Sequence, residues 1–392
     1  MEKPLKIGII AGEESGDILG ADLIASVRKI SGRDVQLVGV GGSHLAAEGL
    51  ESLFDPSEIA LMGISAILSK LPRLVSLIGK TAAHLLDEKP DCLVVIDSPD
   101  FCHRVARKVR AGNPSIPIIN YICPSVWAWR PGRAAKMTGY IDHVLAILPF
   151  EPQVLKELNG PPATYVGHRL ARDSGILHAA TNQAKLEPLR EVGGVKTLLV
   201  LPGSRNSEVK RHAPVFGETL GILKQRGLEF RAVVPVTPNV ETSVRALVQT
   251  WPVTPEIVTG TEAKLAAFAN ADAALAASGT VTLELALAGV PFISCYKFDP
   301  VATFIAEHFV TSWTASLPNL IADTPVVQEY YNQFLRAPMS ARQIEGLINP
   351  SPVRFAILEG FGRIRAKMET DTAPGDRSAG IVLQYANKGR QS

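Results

Sequence analysis

Short apolar runs alternate with longer amphipathic segments along nearly the whole of this 392-residue chain, and that alternation limits the folds open to it. In the first half the runs are Leu5–Ala11, Val35–Val40, Cys92–Ile96, Ile116–Ile122, Val144–Leu148 and Thr164–Val166. A strand buried on both faces reads as an unbroken apolar run, and parallel strands need a crossover helix between them. The pattern therefore predicts a parallel sheet covered on both sides. From Arg169 to Val195 it dissolves into polar residues with Pro188 and Gly193-Gly194, which reads as a linker. It restarts with Thr197–Leu201, Phe230–Val236, Ile257–Thr259, Ala273–Ala277 and Phe292–Tyr296. The expectation is α/β: two doubly wound Rossmann-like domains at 1–170 and 196–340, a linker at 171–195, and a helical tail at 341–392. Ligands of open α/β sheets sit at the carboxyl ends of strands, so two such halves are expected to face each other across a cleft.

Composition narrows the function. The chain is 46% hydrophobic and 20% charged. That charge is below the roughly 25% of average domains, which suits large cores and argues against disorder. A net charge of +2 gives no electrostatic footprint for nucleic acid. Cys92, Cys102, Cys123 and Cys295 contain no CxxC pair, so neither a disulfide framework nor a zinc site is expected, and a reducing cytoplasm fits. MEKPLKIGII lacks the apolar core of a signal peptide, and no run of about 18 apolar residues suggests a membrane span.

Polar residues gather where strands should end. The first strand runs into AGEESGDILGADLI, where Gly12 and Gly16 allow close backbone approach and Ser15 or Asp17 is placed to cap the next helix. Neither GxGxxG nor GK[ST] occurs in this stretch, so the turn is either a simple capped corner or a substrate cradle. In VVIDSPDF, Asp97 ends a buried run and suits a general base, or merely caps or hydrogen-bonds a loop. Asp100 suits the N-cap of a helix over Phe101–Arg110. YICPSVWAWRPGR puts Trp127 and Trp129 beside Arg130 and Arg133, either to stack on sugar and hold phosphate or as an aromatic plug with solvated arginines.

The second half repeats one device. In LLVLPGSRNSEV a strand ends at Pro202-Gly203-Ser204, Arg205 follows, and a helix begins. In ASGTVTLELALAGV a strand ends at Ser278-Gly279-Thr280, and Glu284 sits about one turn into the next helix. Helix-start amides and a guanidinium suit an anion, and a carboxylate one turn in can accept ribose hydroxyls, although the macrodipole also favours an acid there. Together they suggest a nucleoside diphosphate pocket. Separately, IALMGISAILSKLPRLVSLIGK is apolar but punctuated by Lys70, Arg73 and Lys80 and broken at Pro72. It fits a core-facing helix pair or a surface that touches lipid.

These stretches, with LPFEP, YVGH and SLPNLIAD, resemble in order the lipid-A-disaccharide synthases, inverting glycosyltransferases of the GT-B architecture. The resemblance spans roughly residues 5 to 340, with PSVWAWR and SLPNLIAD its most specific parts. It implies UDP-2,3-diacylglucosamine as donor and 2,3-diacylglucosamine 1-phosphate (lipid X) as acceptor. It further implies no metal and no cofactor, a homodimer exchanging C-terminal segments, and a peripheral place on the cytoplasmic face of the inner membrane. Carried onto this chain, Asp97 matches the catalytic base, with Asp100 as helper. Gly203, Ser204, Arg205, Ser278, Gly279, Thr280, Glu284 and Asn319 match UDP-binding positions, and Ser15, Gly16, Asp17, Met62, Trp127 and Arg130 fall to the substrate side. Cys123 stands where serine is usual, and DFCHR replaces a common DFN. Two other readings use the same pocket: another GT-B UDP-sugar enzyme, such as a UDP-N-acetylglucosamine 2-epimerase or a cell-wall glycosyltransferase, and a non-catalytic UDP-sugar-binding protein.

Overall fold

The computed structural model describes residues 4–59 and 64–389. The chain forms two compact units, Met1–His168 with Thr370–Ser392, and Arg169–Glu369.

The first unit holds a parallel sheet of order β2-β1-β3-β4-β5-β6. Its strands are β1 (Leu5–Ala11), β2 (Val35–Val40), β3 (Cys92–Ile96), β4 (Ile118–Tyr121), β5 (His143–Ala146) and β6 (Ala163–Tyr165). Helices α1 (Glu14–Ser31), α2 (Ser43–Ala47), α3 (Ile64–Glu88), α4 (Pro99–Gly112), α5 (Gly132–Met137) and α6 (Glu151–Glu157) lie between them. Successive strand residues face opposite sides. Leu93 and Val95 of β3 accordingly join a core with Leu77 and Leu85 of α3 and Val105 and Val109 of α4. Val94 and Ile96 join another with Leu23 and Val27 of α1. Helix α3 runs through Pro72 rather than breaking there; the ring costs one backbone hydrogen bond. From Leu74 onward the helix contributes Leu77, Ile78 and Leu85 to the core, while Val75 is exposed. Met62 lies outside the described residues.

The second unit repeats the plan with order β12-β11-β10-β7-β8-β9. Its strands are β7 (Lys196–Leu201), β8 (Phe230–Val236), β9 (Glu256–Thr259), β10 (Ala273–Ala277), β11 (Phe292–Tyr296) and an edge strand the alternation did not suggest, β12 (Glu329–Tyr331). Its helices are α7 (Ser174–Leu186), α8 (Asn206–Gln225), α9 (Glu241–Val248), α10 (Thr261–Asn270), α11 (Thr280–Ala288), α12 (Pro300–Phe309), α13 (Leu317–Ala322), α14 (Ala337–Ile348) and α15 (Pro352–Met368).

Two boundaries differ from the sequence expectation. The stretch at 171–195 is not a plain linker: it carries α7, capped by Asp173, whose carboxylate accepts the Ile176 N–H at 3.0 Å. The buried Gln183 amide donates to the carbonyls of Phe268 and Ala271 and fastens α7 to the second unit. The tail at 341–392 is not one piece either. Helices α14 and α15 belong to the second unit, where the fully buried Arg354 donates two hydrogen bonds to Glu187 (2.7 and 2.6 Å). The last helix, α16 (Pro374–Gly389), packs on α1 of the first unit and buries Ala379, Val382 and Ala386 in its core.

Candidate active site

Each sheet begins in its middle and reverses direction once: the first between β1 and β3, the second between β7 and β10. Ligands of open α/β sheets collect at such switch points, outside the carboxyl ends of the strands.

In the second unit that position is a cavity of about 420 Å³. Its walls include Gly203–Arg205 from the turn into α8, and Ser278–Thr280 and Glu284 from the turn into α11. These are seven of the eight positions expected to hold nucleotide. Gly203 (φ 128°) and Gly279 (φ 155°, ψ −168°) occupy backbone conformations that other residues adopt only under strain. A Cβ on Gly203 would also lie 2.6 Å from that of Glu208. The turns thus stay tight enough for two helix starts to border the same space.

Glu208 organises the first turn. One carboxylate oxygen accepts the N–H groups of Ser204 (3.1 Å) and Arg205 (3.3 Å). The other accepts from the Arg205 guanidinium at 2.8 Å and the Tyr296 hydroxyl at 3.3 Å. Burial would raise its pKa, but the guanidinium and the amides outweigh burial and bring it below the ordinary value. His212 is buried behind this turn. It accepts the Lys297 N–H on Nε2 at 2.9 Å, so Nδ1 carries the proton and donates to the Pro202 carbonyl at 2.8 Å. Burial lowers its pKa, and the neutral ring ties the end of β7 to the end of β11. Glu284 accepts from Lys264 Nζ at 2.7 Å. Lys264, on α10, is a wall of the cavity that the sequence did not single out.

Asn319 differs from expectation. It is buried, and it is not among the residues lining this cavity. Its Oδ1 accepts the N–H groups of Val326 and Val327, while Nδ2 donates to the Val327 carbonyl and to Glu329. With its hydrogen bonds spent within the fold, it staples α13 to the approach to β12.

In the first unit the switch point sets the ends of β1 and β3 side by side, with Ala11 paired to Ile96. Asp97 follows directly, half-buried, at φ 55°, and Ser98 follows at φ 41°. The end of the neighbouring strand adds Ile122 at φ 73°, a conformation that a β-branched residue strongly disfavours. Strained backbone of this kind tends to gather at functional sites. One Asp97 oxygen, Oδ1, accepts the Ser98 N–H at 2.9 Å. Asp100 is not the N-cap: Ser98 occupies that position, and Asp100 is exposed in the first turn of α4, 3.6 Å from Arg133.

Ser15 is exposed in the first turn of α1, and Gly16 is buried beside Ile96. Neither Ser15 nor Asp17 caps that helix, because Glu13 holds the N-cap position. Asp17 lies inside it, buried, and its carboxylate accepts the N–H groups of Gly42, His44 and Leu45 at 2.7, 2.8 and 3.3 Å. It holds the start of α2.

The tryptophan loop divides in two. Trp127 packs edge-on against Phe150, and its indole N–H donates to Glu151 at 3.3 Å. Arg130 stacks over the Trp129 ring at 4.0 Å and is exposed. Glu151 was also missed from the sequence, where an acid before proline reads as an ordinary first-turn residue. It is buried, accepts the N–H groups of Ile147 and Leu148, and so joins the loops that follow β4 and β5. Burial pushes its carboxyl up to about 7 against these bonds. Cys102 and Cys123, the two departures from the family pattern, are buried thiols facing the carbonyls of Ile96 and Pro124.

Comparison with solved structures shows the fold. A MurG from Acinetobacter baumannii superposes with a TM-score of 0.59 at 14% identity, covering 97% of this chain and 100% of that one. A UDP-GlcNAc 2-epimerase from Neisseria meningitidis, bound to UDP-GlcNAc, gives 0.56 at 12% identity, covering 98% and 100%. The two six-stranded parallel sheets are those of a GT-B protein. Comparison of sequences goes further. A lipid-A-disaccharide synthase of Rhodopseudomonas palustris is 48% identical over 377 residues, 96% of this chain and 95% of the relative. One from Bradyrhizobium diazoefficiens is 44% identical over 387 residues, 98% of each. The family model described as lipid-A-disaccharide synthetase matches residues 7–348, and this chain belongs to that family.

Proposed function

We propose that this protein is a glycosyltransferase that condenses UDP-2,3-diacylglucosamine with 2,3-diacylglucosamine 1-phosphate. The products are the β(1→6)-linked disaccharide 1-phosphate of lipid A biosynthesis and UDP. The observation that carries the chemistry is the cavity at the β7/β10 switch point, where two glycine-turned helix starts meet Arg205 and Glu284. In the single displacement we infer, the acceptor 6′-hydroxyl oxygen attacks the donor anomeric carbon. The bond from that carbon to the diphosphate breaks with inversion, and Asp97 takes the hydroxyl proton. Negative charge grows on the departing diphosphate. Fixed amides at the starts of α8 and α11, with the Arg205 guanidinium, suit the stabilisation of that charge.

The same reading puts the protein on the cytoplasmic face of the inner membrane as a homodimer, in peripheral contact with lipid. No helix among the described residues is long and apolar enough to cross a membrane. The apolar stretch around Met62 and Ile64 is the proposed lipid contact, since each CH₂ removed from water contributes about 0.8 kcal/mol.

The test is UDP release by the purified protein. Release is expected only with both acylated substrates present. Turnover of UDP-N-acetylglucosamine with a water-soluble acceptor would instead favour another GT-B enzyme. UDP binding without product from any pair would leave a binding protein.

A further inference from the structure

We propose that Lys264 is a positioning residue for ribose recognition, holding the Glu284 carboxylate so that its second oxygen meets the ribose hydroxyls of the bound nucleotide. The inference rests on the nucleotide reading of the cavity given above and names how the sugar of that nucleotide is read.

Glu284 has one carboxylate oxygen on Lys264 Nζ at 2.7 Å. The other oxygen has no hydrogen-bond partner among the described residues. Both side chains are largely shielded, with 29% of Lys264 and 16% of Glu284 exposed, and both border the cavity. An ion pair in that setting is screened less than one at the surface. The ammonium is held a second way: it lies 5.8 Å from the centroid of the fully buried Phe268 ring on the same helix. Lys264 therefore has little freedom to swing toward a phosphate without giving up both contacts.

The pair also spans two elements, since Lys264 lies on α10 and Glu284 on α11. The start of α10 contributes Gly260 and Thr261 to the same cavity wall. A glutamate alone would have to be ordered by the ligand. Here the ion pair orders it beforehand, which favours a ligand offering hydroxyl donors to the remaining oxygen. A vicinal diol supplies two donors, and a 2′-deoxyribose supplies one. A purely structural role, bracing α10 against α11, would treat the two sugars alike.

The test measures binding of UDP and of 2′-deoxy-UDP to the full chain by titration calorimetry, for wild type, Lys264→Met and Lys264→Arg. Wild type is expected to prefer UDP by about tenfold, the scale of one hydrogen bond to a charged acceptor. Lys264→Met should bring that preference to about twofold or less by weakening UDP alone, with 2′-deoxy-UDP held within about twofold. Lys264→Arg should restore most of the preference. If Lys264→Met keeps the full preference, or weakens both ligands equally, the proposal is overturned and the pair is a brace. Equal binding of both ligands by wild type would remove the ribose reading of Glu284, and absence of any UDP binding would remove the nucleotide reading of the cavity.

Discussion

Asp97 is the residue on which the proposed chemistry turns, and its backbone makes a clean test possible. Asparagine tolerates the left-handed conformation at φ 55° and can still accept the Ser98 N–H, so Asp97→Asn preserves the turn and removes only the base. Turnover should fall by about 10²–10⁴-fold while UDP affinity is unchanged. Asp100→Asn, at an exposed carboxylate, should stay within a few-fold of wild type. Steady-state kinetics with both acylated substrates checks the pair, and the reverse ranking would move the base to Asp100. This scale is also where sequence reading reaches its limit. The turns at Gly203 and Gly279 were legible because glycine beside small polar residues after an apolar run has few other uses. Asp17 was read from the glycines around it and Asn319 from the resemblance at SLPNL, and neither signal says where a side chain's hydrogen-bond partners lie. Those partners prove to be the backbone amides of Gly42, His44 and Leu45 for Asp17, and of Val326 and Val327 for Asn319. Lys264 escaped notice because its partner is on the next helix, with a strand between.

Among elements, the loops after β4 and β5 depend on one buried acid. Glu151 titrates near 7 in the fold against an ordinary 4.5, because burial disfavours its charge. A folded pKa above the unfolded one means the folded state holds the proton more tightly. The stability this lends is complete below about pH 4.5 and is lost as pH rises through about 7. Glu151→Gln keeps an oxygen for the amides of Ile147 and Leu148 but does not titrate. Across pH 4.5 to 7, chemical denaturation should show wild type losing stability relative to the variant; a constant difference would refute the assignment. The apolar stretch ahead of the core-facing turns of α3 offers a second test. If it is the lipid contact, charge at Met62 and Ile64 should weaken vesicle binding or raise the lipid KM. No change in either would return that stretch to the core. The strands were legible because burial on both faces leaves an unbroken apolar run. Helix α7 was not, since it buries only Ile176, Ala179 and Gln183, too sparse a stripe to separate from a linker.

The molecule as a whole consists of two units with separate cores, and the proposed donor cavity is lined by residues of the second alone. Saturation at about 100 times Kd should stabilise the unit that binds by roughly 2.7 kcal/mol. UDP should therefore raise the melting transition of the second unit and leave that of the first in place, as read by calorimetry or by hydrogen exchange across β7 and β10 against β1 and β3. Protection confined to the first unit would place the nucleotide elsewhere. One further consequence follows from the path of the chain. It leaves the first unit after His168 and re-enters it at Thr370, so the second unit is an insertion within the first. During synthesis α1 and its sheet leave the ribosome early, yet the helix that covers them is encoded after the whole of the second unit. At roughly 5–20 residues per second, the stretch from Ser31 to Pro374 takes on the order of twenty to seventy seconds. Through that time the apolar face of α1 waits for its cover, and the nascent chain is then most exposed to misassociation and most in need of a chaperone.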